Sequence, residues 1–188
     1  MELVLVRHGL PERTAQTDDP PLTPEGHDQA RRVADWLAPE SFEAIYSSTM
    51  RRAVETAQPF VALKSLDLIQ NDGIVEFDRG TGAYTPMEVL KREDYAAWKR
   101  MADGEHEIDI VAFQQMVVAA LEQIVAAHSG EKVVVFCHGG VVNVWTAYVL
   151  GMAPRLFFEP RYTSVHRYMC ARSGQRNVLS LNETAHLR

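Results

Sequence analysis

Cysteine is nearly absent: the 188 residues hold only Cys137 and Cys170, and neither sits in a C-x-x-C pair. A disulfide framework and a zinc knuckle are thereby excluded, and both thiols read as small core residues in a reducing compartment. Basic blocks are missing too. With 25 acidic against 19 basic side chains, a net charge of −6 and no Lys/Arg run, the chain has no electrostatic footprint for nucleic acid or for an anionic membrane. Nothing resembles the roughly 20 apolar residues of a membrane span. The opening Met1-Glu2-Leu3 lacks the basic n-region and long apolar core of a secretory signal, so the expected address is cytoplasmic. Linkers, repeats and low-complexity tracts are also absent, which predicts a single domain over residues 1–188. A homodimer stays open.

What is present is a hydrophobic content of 46% with 23% charged residues, enough for one well-buried globular core. Apolar β-type runs alternate with helical patterns. Leu3-Val4-Leu5-Val6 and Val133-Val134-Val135-Phe136 read as buried strands, with shorter strands at Ala44–Ser47, Leu66–Ile69, Val165–Ala171 and Asn177–Leu181. Thr23-Pro24-Glu25 supplies an N-cap, a proline at the first helical position and an acid in the first turn, predicting a helix from Pro24 to Leu37. Further helices are predicted over Met50–Val61, Met87–Ala102 (stopped by Asp103-Gly104), Ile110–His128 and Val141–Leu150, with Gly73–Pro86 as a loop. Strands alternating with helices imply an α/β fold, a three-layer α/β/α sandwich around a mostly parallel sheet.

Two strands end on a histidine followed by glycine: Arg7-His8-Gly9 and Cys137-His138-Gly139-Gly140. Open α/β sheets bind ligands in the crevice at strand C-termini, so the two histidines are predicted to share one site. Neutral imidazole can attack phosphorus, and a carbonyl bonded to one ring nitrogen decides which nitrogen is free. Arginine forks bind and neutralise phosphoryl oxygens. Arg7 and one of Arg51 and Arg52 are the candidates. The N–H groups of Gly139 and Gly140, opening a helix, add anion-facing donors.

In order and spacing, Leu5-Val6-Arg7-His8-Gly9, Leu22-Thr23-Pro24-Glu25-Gly26 with Gln29-Ala30, Ser48-Thr49-Met50-Arg51-Arg52-Ala53 with Thr56-Ala57, Glu76 with Gly80, and His138-Gly139-Gly140 resemble the histidine phosphatase superfamily, also called the phosphoglycerate mutase-like family. The C-terminal Asn182-Glu183 and His186-Leu187 resemble its closing segment. That resemblance implies a histidine acid phosphatase-type phosphomonoesterase acting on a small phosphorylated substrate, without cofactor or metal. It implies that His8 attacks phosphorus, that Arg7, Arg52 and His138 hold the oxygens beside Gly139, and that an acid protonates the leaving alkoxide before water hydrolyses the phosphohistidine. Arg52 is carried over because it directly precedes Ala53, and Glu76 because it lies four residues before Gly80. Asp78 remains the rival acid.

Departures from the family pattern fall on the substrate side. Leu10-Pro11 stands where many members carry an acid or glutamine and threonine, Thr14 replaces an asparagine, Thr81-Gly82-Ala83-Tyr84 replaces an aromatic-acid-glycine run, and Gly104-Glu105-His106 replaces Gly-Glu-Ser. From Leu10-Pro11 and the segment around Gly82 we expect an open mouth and hydrolysis. The alternatives are a phosphoglycerate mutase-type phosphotransferase and a phospho-ligand binding protein with decayed catalysis. Glu105-His106-Glu107 with Asp109 reads as a solvated loop rather than a metal site, and His27 as a surface residue. Tyr84, Tyr95, Trp98, Phe157, Phe158 and Tyr162 read as core and lid packing.

Overall fold

The computed structural model describes residues 1–14, 16–82, 85–102 and 108–188. Six strands, β1 (Glu2–Arg7), β2 (Ala44–Ser48), β3 (Leu68–Asn71), β4 (Lys132–Cys137), β5 (Val165–Cys170) and β6 (Arg176–Glu183), form one sheet in the order β3-β2-β4-β1-β5-β6. The β3-β2, β2-β4 and β4-β1 pairs are parallel, and the β1-β5 and β5-β6 pairs antiparallel. β1 and β4 are central and run in register from Glu2↔Lys132 to Arg7↔Cys137. His8 and His138 therefore leave the sheet side by side at the same end.

Because side chains alternate across a strand, the continuous apolar runs of β1 and β4 serve both faces. Leu3, Leu5, Val133, Val135 and Cys137 pack on one face with Phe113, Val117, Leu121 and Ile124 of α5 (Ile110–Ala127) and Val141, Val144 and Trp145 of α6 (Gly139–Val149). Val4, Val6, Val134 and Phe136 pack on the other with Val33, Ala34 and Leu37 of α1 (Pro24–Leu37) and Ala57 and Phe60 of α2 (Arg51–Lys64). The three layers follow from that alternation. α5 is, among the described residues, the one helix long and apolar enough to cross a membrane, a feature the sequence reading passed over. Its inward residues are part of the core under the sheet.

The α1 boundaries are as predicted, with the Thr23 hydroxyl accepting from the Gly26 N–H. Other boundaries moved for local reasons. α2 runs on to Lys64 and ends on Ser65 in the left-handed region at φ 53°, which delays β3 to Leu68. The predicted Met87–Ala102 helix is two, α3 (Met87–Glu93) and α4 (Tyr95–Ala102), broken where the Asp94 carboxylate accepts from the Ala97 N–H. α6 starts at Gly139 rather than Val141. The predicted stop at Asp103-Gly104, the Glu105-His106-Glu107 cluster and Ala83-Tyr84 lie outside the described residues.

Candidate active site

His8 is 2% exposed at the end of β1. Its backbone N–H donates to the Cys137 carbonyl, tying it to β4, and its carbonyl accepts from the Thr163 N–H. The ring Nδ1 lies 2.8 Å from the Gly9 carbonyl oxygen. A carbonyl can only accept, so Nδ1 carries the proton and Nε2 keeps its lone pair. Burial first, then the Arg52 and Arg7 charges, hold the ring well below the usual histidine range. A neutral imidazole with a free Nε2 is the nucleophilic form.

His138 stands beside it, the two ring centroids 5.2 Å apart. Its Nε2 is 2.8 Å from Ser48 Oγ, while Ser48 Oγ accepts from the Met50 N–H. A buried hydroxyl proton needs an acceptor, and Nε2 is the acceptor within reach, so Ser48 donates to Nε2 and the His138 proton sits on Nδ1. That Nδ1 is buried and has no partner among the described residues. The same holds for Arg7 Nε. Arg7 is otherwise fixed, donating from Nη1 to the Pro160 carbonyl at 2.5 Å with its guanidinium 4.1 Å above the Tyr162 ring. Two orphaned donors beside a neutral histidine cost free energy unless an anion accepts from them.

Arg52 is fully buried. Its Nη1 donates to the Asp18 carbonyl at 2.7 Å and its Nη2 to the Asp78 carboxylate at 2.9 and 3.2 Å. Arg51 faces solvent and pairs with Glu55. The sequence choice between them thus has a structural counterpart: one arginine of the pair lines the cavity and the other does not.

Glu76 and Asp78, the rival acids, both line the cavity but differ in partners. Asp78 is held by a guanidinium. Among the described residues Glu76 accepts from backbone alone, Oε2 from the Gly140 N–H at 2.8 Å and Oε1 from the Phe77 N–H at 3.1 Å. Burial, with the Asp78 charge second, pushes its carboxyl up to about 7. Burial also raises Asp78, against the pull of Arg52. A carboxyl at the N-terminus of α6 that is nevertheless half protonated near neutrality can give up or take a proton at working pH.

Gly140 makes this arrangement sterically possible. A Cβ there would collide with Glu76 Oε1 and come within 2.7 Å of the Phe77 ring. Gly140→Ala is therefore expected to lower unfolding stability by about 1–3 kcal/mol through overpacking, read from urea midpoints. An unchanged midpoint would show that Glu76 can move aside freely.

The cavity, about 870 Å³ with the end at Arg7, His8 and Arg52 included, is walled on its other side by Phe77, by α3 and α4 and by the segment around Phe157. Asn143 of α6 shapes that segment: its Oδ1 accepts from the Phe157 and Phe158 N–H groups and its Nδ2 donates to the Phe158 and Gly139 carbonyls. Sequence reasoning missed Asn143, Ser48 and Thr56, whose hydroxyl receives the Gly9 N–H. Ser48 and Thr56 had a signal, since both stand in the segment that resembles the family, whereas Asn143 had none. Leu10 and Pro11, in contrast, do not line the cavity. Leu10 is bound to the start of α1, its N–H donating to Gln29 Oε1 and its carbonyl accepting from Thr23, so the expectation of an open mouth does not rest on that loop. His27 lies on the surface, 3.8 Å from Glu55, and Tyr95 is exposed rather than packed in a core. Cys137 is fully buried, and burial pushes its thiol up, which keeps it unreactive.

A family model described as the histidine phosphatase superfamily (branch 1) matches residues 3–184. Phosphoserine phosphatase 1 of Hydrogenobacter thermophilus is 27% identical, the match covering the whole chain and 94% of that protein. Phosphoglycerate mutase-like protein 4 of Arabidopsis thaliana is 30% identical over 76% of the chain and 68% of its own length. Among solved structures, a phosphoserine phosphatase mutant of Entamoeba histolytica in complex with phosphoserine superposes with a TM-score of 0.80 at 25% identity, covering 100% of this chain and 99% of that one.

Proposed function

The chain belongs to the histidine phosphatase superfamily (branch 1), and from that premise we propose that it hydrolyses small phosphomonoesters through a phosphohistidine on His8. The observation that carries this reading is the pair of buried, partnerless donors, Arg7 Nε and His138 Nδ1, beside a histidine whose Nε2 keeps its lone pair.

In the proposed first step, His8 Nε2 forms a bond to phosphorus as the ester P–O bond breaks. Charge on the three equatorial oxygens is met by Arg7, His138, Arg52 and the N-terminal end of α6 at Gly139. The departing alkoxide takes the proton of Glu76. Water then attacks the phosphohistidine, passing a proton to the Glu76 carboxylate. Inorganic phosphate leaves, and His8 is again neutral. Glu76 rather than Asp78 is assigned the proton because Asp78 is already committed to the Arg52 guanidinium, whereas each Glu76 oxygen spends one lone pair on a backbone N–H and keeps another. The histidine acid phosphatase-type assignment belongs to this same proposal. The free, buried Cys137 and Cys170 are in keeping with a reducing, cytoplasmic setting.

The alternative, a mutase, must return the phosphoryl group to a bound product before water arrives. Product analysis with 3-phosphoglycerate separates the two. We expect release of inorganic phosphate to outpace formation of 2-phosphoglycerate; the reverse order would replace hydrolysis by phosphoryl return.

A further inference from the structure

Resting on the phosphatase reading above, we infer that the preferred substrates are phosphomonoesters whose alcohol carries an extended apolar body, not short esters bearing a second acidic group.

Size is the first reason. If each non-hydrogen atom takes at most the roughly 30 Å³ of a water in the liquid, an ester such as phosphoserine, with about eleven such atoms, fills well under half of the 870 Å³ cavity. The wall material is the second. Away from the phosphate end the lining is dominated by Phe77, Leu90, Trp98, Leu156, Phe157 and Phe158, and an apolar cleft with few polar groups gains affinity by removing apolar surface from water. This wall is held in place by its neighbours. Phe77 packs edge-on against Phe113 at 5.8 Å, and Asn143 pins the backbone of Phe157 and Phe158 through three hydrogen bonds.

Charge is the third reason. A carboxylate on a small ester would lie close to the phosphoryl group, where Arg7 and Arg52 are engaged with Pro160, Asp18 and Asp78. The Asp78 carboxylate itself lines that region and would repel it. Among the described residues the other cations lining the cavity are Arg100 and Arg155, both exposed to solvent, where screening makes an ion pair worth little.

A series of straight-chain alkyl phosphates tests the inference without changing the leaving group. Ethyl, butyl and hexyl phosphate release alkoxides of nearly equal basicity, so differences in kcat/KM report the contact of the chain with the wall. We expect kcat/KM to rise by about fourfold per added methylene, hexyl phosphate to exceed O-phosphoserine, and both Trp98→Ala and Leu90→Ala to flatten the gradient. A flat or falling series, or phosphoserine ahead of hexyl phosphate, would overturn the inference while 4-nitrophenyl phosphate turnover keeps the phosphatase reading intact. Failure to hydrolyse any ester, 4-nitrophenyl phosphate included, would overturn both.

Discussion

Replacing His8 by alanine is expected to abolish turnover, lowering kcat by about four orders of magnitude or more, the scale seen when a covalent nucleophile is removed from an otherwise intact site. The remaining anion donors do not depend on the His8 ring. Arg7 stays anchored to Pro160 and over Tyr162, and His138 stays on Ser48. The variant should therefore still bind inorganic phosphate and phosphate esters while failing to cleave them. Rapid quenching of the unaltered protein with an ester labelled in its phosphoryl group should trap acid-labile, base-stable label on the chain, and His8→Ala should trap none. Wild-type turnover by His8→Ala, or label persisting on it, would move the nucleophile elsewhere. The pH response follows from burial: because desolvation and two arginines keep His8 neutral, formation of the phosphoenzyme should show no acid limb near the ordinary histidine pKa.

Much of the frame behind that expectation can be read along the chain. α1 was legible to the residue because Thr23, Pro24 and Glu25 are local start signals and Ala30, Val33, Ala34 and Leu37 mark its buried stripe. β1 and β4 were legible because central parallel strands are buried on both faces and read as unbroken apolar runs. β3, an edge strand whose residues are all partly or fully exposed, carries no such signal, and its start was missed by two residues. Within the site, His8, Arg7 and His138 follow from strand ends and neighbouring glycines.

What sequence cannot show are properties set between distant segments. The elevated carboxyl of Glu76 is set by its burial in the fold, against the pull of the Gly140 N–H that reaches it from 64 residues later, and the commitment of Asp78 depends on Arg52, 26 residues earlier. The hydrogen-bonded hold of Asn143 on Phe157 and Phe158 likewise has no local pattern, since a lone asparagine in an apolar helix could as well face solvent. Identity of residue type gave the candidates. Their protonation and pairing needed the fold.

Glu76→Gln separates these layers, because it keeps shape and removes only the proton. For an alkyl phosphate, whose leaving alkoxide is strongly basic, departure requires the acid, and kcat/KM is expected to fall by about 10²–10⁴-fold. For 4-nitrophenyl phosphate the leaving phenolate is stable unprotonated, and kcat/KM, which reports steps only through its release, should change little. The pH dependence has a defined sign. With the carboxyl pushed up to about 7, the protonated form dominates below that pH and is lost above it, so the ratio of alkyl to aryl kcat/KM should drop about tenfold per pH unit on the alkaline side. Taking the ratio removes any ionisation of His8, the arginines or the fold that both esters share. Glu76→Gln should leave that ratio low and flat across the same range. Equal losses on the two esters would mean that Glu76 positions the phosphoryl group instead of protonating the alcohol. An alkaline limb that survives in the variant would hand the proton to Asp78, whose carboxyl burial also raises, and Asp78→Asn would then have to erase it.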